Sequence, residues 1–219
     1  MKPSPLEAAL PLSPLQEGML FHALYDEEGV DVYTIQVAFG LSGALDADRL
    51  RAACGALLER HPVLRAGFQQ RKTGEPVQLV RRRAAVPWTD LDLRALPADE
   101  QRDRLIRYQA DDRARGFDMG RPPLIRFTLA RLADDEHVMV LTYHHILLDA
   151  WSFQIVLRDL LVLYAAGGDG GALPPAVPFA RYLSWLAGQD RAASEDAWAE
   201  ALAGLGEPTL VAPGADAAG

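Results

Sequence analysis

The 219-residue chain contains one cysteine, Cys54, so no disulfide can form within it. Small secreted domains usually rely on several such bridges, and a chain without them depends on a packed core. Basic residues are in the minority: 22 Lys and Arg stand against 30 Asp and Glu, for a formal net charge of -8. A nucleic-acid partner is therefore not expected, because phosphate contacts need concentrated Lys and Arg. No apolar run approaches the ~20 residues of a membrane-spanning helix, so no membrane partner is expected either. Residues 1–12 lack the charged and apolar regions of a signal peptide. Together with the lone cysteine, this gives the expectation of a cytoplasmic protein. No internal repeat is visible.

What is present is globular composition: 49% hydrophobic and 24% charged residues, enough for a real core. Ser13-Pro14-Leu15-Gln16 reads as a helix start, with Ser13 as cap, Pro14 at the first helical position and Gln16 closing a capping box. Tyr33, Ile35, Val37, Phe39 and Leu41 alternate as in a strand facing a core. Asp46 caps a second helix with the apolar stripe Leu50, Ala53, Cys54, Leu57 and Leu58, and Pro62 stops it. Leu64, Ala66 and Phe68 alternate again, and Lys72-Thr73-Gly74-Glu75 turns the chain into a returning strand over 77–80. Residues 97–115 give an exposed helix with few apolar anchors, Leu105 and Ile106 among them, ended by Gly116. Residues 124–132 and 137–143 flank the acidic turn Asp134-Asp135-Glu136 as a hairpin. Phe153, Val156, Leu157, Leu160, Leu161 and Tyr164 follow helical spacing and predict a helix packed on the sheet. After a Gly- and Pro-rich loop over 167–178 come two helical segments. Phe179, Tyr182, Leu183 and Leu186 line one; Trp198, Ala201, Leu202 and Leu205 line the other. A loose tail is expected from Pro208 onward. The expected fold class is α/β, a mixed sheet flanked by helices over residues 1–170, with a helical extension over 171–219.

The chemistry concentrates at His144-His145-Ile146-Leu147-Leu148-Asp149-Ala150-Trp151-Ser152, where an apolar strand hands over to an amphipathic helix. Rigid elements on either side hold such a turn while leaving it reachable. A histidine near a carboxylate can take and return a proton at neutral pH, so His145 is a candidate base or orienting group. Backbone N–H groups at the start of the following helix could face an oxyanion. The blander readings stand beside this. Asp149 could simply cap that helix or pair with a buried arginine. Consecutive residues leaving a strand face opposite ways, so His144 is expected to be a packed, hydrogen-bonded core histidine. No metal site is expected, because His22, His61 and His137 lie on scattered elements and spacing suggests no third ligand.

The extended motif resembles the HHxxxDG signature of condensation domains from nonribosomal peptide synthetases. Two further segments agree. Pro11-Leu12-Ser13-Pro14-Leu15-Gln16-Glu17-Gly18-Met19-Leu20-Phe21-His22 is similar to the family's first core motif, and Arg60-His61-Pro62-Val63-Leu64-Arg65-Ala66-Gly67-Phe68 to its second. All three occur in the family's order and spacing, from the start of the chain to about residue 164. The resemblance implies the N-terminal lobe of a chloramphenicol-acetyltransferase-like fold. It implies attack of a downstream aminoacyl amine on an aminoacyl or peptidyl thioester held by an upstream carrier protein. No directly bound cofactor is implied; the substrates ride on the phosphopantetheine of upstream and downstream peptidyl carrier proteins. By the family pattern His145 is the key catalytic residue, Asp149 shapes the motif, and His144, Ala150, Trp151 and Ser152 support it. Arg60 and Arg65 carry over as structural ion-pair residues. The form of the first motif resembles the subtype that takes a donor ending in a D-residue.

Two departures matter. Ala150 stands where the family usually has glycine; a positive φ there would strain alanine by about 1–3 kcal/mol, whereas a negative φ would only narrow the channel. The chain also holds only the first lobe and the helices after it, so residues 171–219 read as a linker and crossing helices toward a missing C-terminal lobe. The isolated chain is expected to be inactive, and apolar surface left uncovered by that lobe could favour self-association. The rival functions are an acyl-CoA-dependent acyltransferase of the same fold and a module that docks a carrier protein without catalysis. An epimerization domain fits less well, because its opening motif differs. Arg81-Arg82-Arg83 reads as a solvated charged edge rather than a carrier contact. Trp185 and Trp198 read as core, while Trp151 could pack beneath the motif or line the channel.

Overall fold

In the computed structural model, residues 4–25 and 31–206 are described. The tail from residue 208 lies outside them. The strands are β1 (Leu6–Leu10), β2 (Thr34–Ser42), β3 (Ala66–Gln70), β4 (Pro76–Arg81), β5 (Trp88–Asp92), β6 (Ile125–Arg131) and β7 (Glu136–His144). The helices are α1 (Pro14–Tyr25), α2 (Ala47–Arg60), α3 (Ala98–Ala114), α4 (Ala150–Ala165), α5 (Phe179–Ala187) and α6 (Arg191–Ala201). A three-stranded antiparallel sheet runs in the order β1-β4-β3, and a four-stranded mixed sheet in the order β2-β7-β6-β5. In the latter only β5 and β6 are parallel. The architecture is thus α/β, with mixed strands flanked by helices.

The alternation of side chains along β2, β7 and β6 divides the larger sheet into two unlike faces. On one face Ile35 opposes Tyr143, and Phe39 opposes Met139. There Phe153 of α4 stacks against Phe39 and Tyr143 at ring separations of 6.3 and 5.4 Å. The stripe of α2 (Leu50, Ala53, Cys54, Leu57, Leu58) is buried as its spacing predicts, in one core cluster with β7 and α4. Burial pushes the Cys54 thiol far above its ordinary pKa, so it behaves as a small apolar side chain. On the opposite face α3 is held mainly by polar contacts. Gln36 donates to Thr142 (3.0 Å) and to the Gln109 carbonyl (3.1 Å), while Arg126 donates to Asp112 (2.9 Å). Asp112 is the buried residue of that helix, and Ile106 is exposed.

Several sequence expectations need correction. Leu64 belongs to a short 3-10 turn, Pro62–Arg65, and β3 begins only at Ala66. On α4 the buried set is Phe153, Val156, Asp159, Leu160 and Leu163; Leu161 is exposed, so the stripe is rotated from the expected one. β1 and β5 have no expected counterpart, because LEAAL and WTDLD lack the β-branched apolar alternation that marks a strand. By their contacts the residues fall into two units, Met1–Leu183 and Ser184–Gly219. Within the second, Asp190 caps α6 through the Ala193 N–H, and Arg191 pairs with Glu195. Trp185 and Trp198, expected to be core, are exposed there, as are Leu202 and Leu205.

β3 of the smaller sheet meets the loop before β6 at Gly67. Phe68 donates its N–H to the Met119 carbonyl at 2.7 Å, and a Cβ on Gly67 would lie 2.7 Å from Pro122 Cδ and 3.2 Å from that same carbonyl. Gly67→Ala is therefore expected to destabilise the chain by about 1–3 kcal/mol through overpacking. Urea denaturation would read this as a lower midpoint at unchanged slope.

Candidate active site

β7 ends at His144, which sits opposite Thr34 of β2, and α4 begins at Ala150. The residues between belong to neither element, so their peptide groups need other partners. The His145 N–H donates to the Tyr33 carbonyl (2.8 Å), and the Leu147 N–H to the His144 carbonyl (3.1 Å). The Ile146 N–H donates to Nδ1 of His144 (3.1 Å), while its carbonyl accepts from Nε2 of Gln16 (3.1 Å). The Leu148 carbonyl lies 2.7 Å from Nδ1 of His145. A carbonyl can only accept, so Nδ1 carries the hydrogen and Nε2 of His145 holds the free lone pair.

The two histidines have opposite environments. His144 is fully buried, and Nδ1 accepts a hydrogen bond, so its hydrogen sits on Nε2. That nitrogen lies 3.0 Å from Asp31 Oδ2 but off the N–H axis, so the pair is an electrostatic contact rather than an aligned hydrogen bond. Burial holds the His144 pKa below the ordinary imidazole value, with the Asp31 carboxylate working against it. His145 is half-buried and lines a cleft of about 390 Å³ together with Gln16, Met19, Asp149, Ser152 and Tyr182. Among the described residues none hydrogen-bonds its Nε2.

Asp149 does not engage the imidazole through a hydrogen bond. It caps α4, accepting the Ser152 N–H at 2.7 Å. That bond holds its carboxyl below the ordinary carboxylate range, and the neighbouring His145 acts in the same direction. Ala150 is the first residue of α4, and no non-glycine among the described residues has positive φ, so the alanine is unstrained. Trp151 is 83% exposed and packs beneath nothing.

The two arginines of the second motif lie at and just after the end of α2 and make separate ion pairs. Asp159, on the buried face of α4, receives Arg60 Nε (2.8 Å), His61 Nε2 (3.0 Å) and Arg158 Nη2 (2.8 Å). Burial works to raise the Asp159 pKa, but these donors outweigh it and hold it low. Arg65, also buried, pairs with Glu7 (2.8 Å) and donates to the carbonyls of Leu58, Arg81 and Arg82. One arginine thus ties the end of α2 to α4, and the other ties it to the small sheet. Of Arg81-Arg82-Arg83, all exposed, Arg82 reaches back to the Ser4 and Leu6 carbonyls of the N-terminal strand. Sequence reading missed Asp159, although a carboxylate between Val156, Leu160 and Leu163 is itself a signal of a buried partner. It also missed the reach of Gln16 and the pairing of Asp31, which no local spacing reveals. Among the described residues no group of three or more His, Cys, Asp or Glu side chains is placed to hold a metal ion. No described helix is long and apolar enough to cross a membrane.

Residues 7–217 match the family model described as Condensation domain. Over 211 residues the chain is 41% identical to a linear gramicidin synthase of Brevibacillus parabrevis, covering 95% of this chain and 3% of that protein. Over 203 residues it is 36% identical to a surfactin synthase of Bacillus subtilis, covering 92% of this chain and 16% of that one. Among solved structures, the SgcC5 protein of Streptomyces globisporus superposes with a TM-score of 0.72 at 30% identity, over 89% of this chain and 46% of that chain. The starter condensation domain of rhizomide synthetase superposes with a TM-score of 0.74 at 24% identity, over 92% and 50%. The chain therefore spans about half the length of these solved structures and a small part of the curated relatives.

The capping geometry separates two roles for Asp149. Asparagine caps as well as aspartate, so Asp149→Asn is expected to leave stability near that of the parent, whereas Asp149→Ala loses about 1 kcal/mol. Equal urea midpoints for the two variants would contradict the cap.

Proposed function

The chain belongs to the condensation-domain family, and on that premise we propose that it is the N-terminal lobe of a domain that forms peptide bonds between carrier-bound substrates. Its relatives include synthetases named for peptide products, and its α/β fold is that of solved condensation domains. The donor is an aminoacyl or peptidyl thioester on the phosphopantetheine of an upstream carrier. The acceptor is the amine of an aminoacyl group on a downstream carrier. The amine nitrogen adds to the thioester carbon, the C–S bond breaks, and the proton leaving nitrogen passes to the departing thiolate. His145 is the group that receives that proton or holds the amine for attack, through the same Nε2 contact. The observation that carries this reading is the fixed tautomer: Nδ1 is committed to the Leu148 carbonyl, and Nε2 is left for the cleft.

Asp149 supports the site by capping α4, which fixes where the turn ends. His144 supports it from behind, its ring filling the buried side of the turn. The unstrained Ala150 leaves only a narrower channel to distinguish this site from one with glycine. Arg60 and Arg65 serve as structural ion-pair residues, not as contacts to substrate. For the chain by itself, carrier docking without turnover is the second reading, favoured by its spanning about half of the solved condensation domains.

In the complete domain, His145→Ala is expected to lower condensation of carrier-bound substrates by at least about 10²-fold. A rate within a few-fold of the parent would overturn the assignment. The 219-residue chain alone is expected to yield no peptide from loaded carriers, and detectable product would overturn that. Leu15, Phe21 and Trp151 leave apolar surface exposed. The isolated chain is therefore expected to self-associate with concentration, and a light-scattering mass that stays monomeric would count against it.

A further inference from the structure

We propose that Gln16 is a positioning residue for His145, holding the peptide unit next to the imidazole so that Nδ1 stays on the Leu148 carbonyl and Nε2 stays in the cleft. The inference rests on the reading of His145 as the reacting group. Gln16 is only 5% exposed, on the first turn of α1, 130 positions from Ile146. Its amide makes two bonds of opposite polarity: Oε1 accepts the Ser13 N–H at 3.0 Å, and Nε2 donates to the Ile146 carbonyl at 3.1 Å. The alternative flip would set donor against donor and acceptor against acceptor, so the orientation is determined.

The consequence falls on a segment without ladder bonds of its own. Both polar groups of Ile146 end on side chains, the N–H on His144 and the carbonyl on Gln16. With the His145 N–H on Tyr33, the residue bearing the imidazole is pinned just before and just after its ring. Release of the Ile146 carbonyl frees that peptide to rotate and moves the Leu148 carbonyl relative to Nδ1. The bond that selects the tautomer is then lost.

Glutamate at position 16 separates this role from helix capping, since Ser-x-x-Glu is itself a capping box. Gln16→Glu keeps an acceptor for the Ser13 N–H but offers the Ile146 carbonyl a second oxygen instead of a donor. The test is imidazole ¹⁵N NMR on the 219-residue chain, with kinetics on the complete condensation domain carrying this sequence. The parent is expected to show His145 protonated at Nδ1. Gln16→Glu is expected to give a mixture of tautomers, and to lower kcat by about 10- to 100-fold at unchanged KM for the carriers. Ser13→Ala, which removes the cap but not the clamp, is expected to change neither. An unchanged tautomer in Gln16→Glu, an equal shift in Ser13→Ala, or a Gln16→Glu chain that no longer folds would each overturn the proposal. A tautomer shift without loss of kcat would do the same, provided His145→Ala abolishes turnover. If His145→Ala leaves turnover intact, the reading of the site fails, while the tautomer measurement still decides the clamp.

Discussion

Between β7 and α4 the backbone must leave a sheet ladder and enter a helix, and for a few residues it has neither set of hydrogen bonds. Buried peptide groups cannot be left unpaired without a cost of about 1–3 kcal/mol each. In this protein the partners are the Tyr33 carbonyl and the amide of Gln16 from outside the turn, and the rings of His144 and His145 and the carboxylate of Asp149 within it. Satisfying the turn is therefore the same act as placing the catalytic candidate. One of these bonds, from Nδ1 of His145 to the Leu148 carbonyl, also fixes which nitrogen of that ring bears the hydrogen.

This dependence explains why the chain spends buried charge behind the site. Asp159 would be costly on the apolar face of α4 without partners, and breaking such a buried pair by removing one side typically costs several kcal/mol. Arg60, His61 and Arg158 surround it, and the first two come from the end of α2. That end is pinned again by Arg65, which spans to Glu7 and to the carbonyls between β4 and the loop beyond it. The segment Arg60 to Arg65 is thus a joint between α4, α2 and the smaller sheet. The larger sheet uses another device: its apolar face takes α4, and its polar face is held to α3 through Gln36, Asp112 and Arg126.

Much of this was legible locally. The stripe of α2, the Ser13–Gln16 capping box, the Asp149 cap and the hairpin of β6 and β7 follow from spacing within a dozen or so residues, and the structure has all four. β1 and β5 were not legible: LEAAL and WTDLD carry no β-branched apolar alternation of the kind that marks β2. On α4 the expected stripe shares Phe153, Val156 and Leu160 with the buried face but takes Leu161 in place of Leu163, because the two are equally apolar and only packing chooses between them. Trp185 and Trp198 looked like core on chemistry alone, yet residue type does not say whether a second surface is present to cover it.

The sequence by itself determined the family, the α/β class and the residue types of the site, because these rest on motifs whose order along the chain is their information. It also offered Asp149 as the cap of the following helix, since an N-cap is a bond between neighbours three residues apart, and the structure chose that reading over an arginine pair. Only the tertiary structure decided that Gln16 and Asp31 attend the two histidines, and that Arg60 and His61 meet at Asp159. Those contacts join residues up to 130 positions apart. No local spacing encodes them; they exist only once the packing of α1, α2 and α4 on their sheets brings the partners within hydrogen-bond reach.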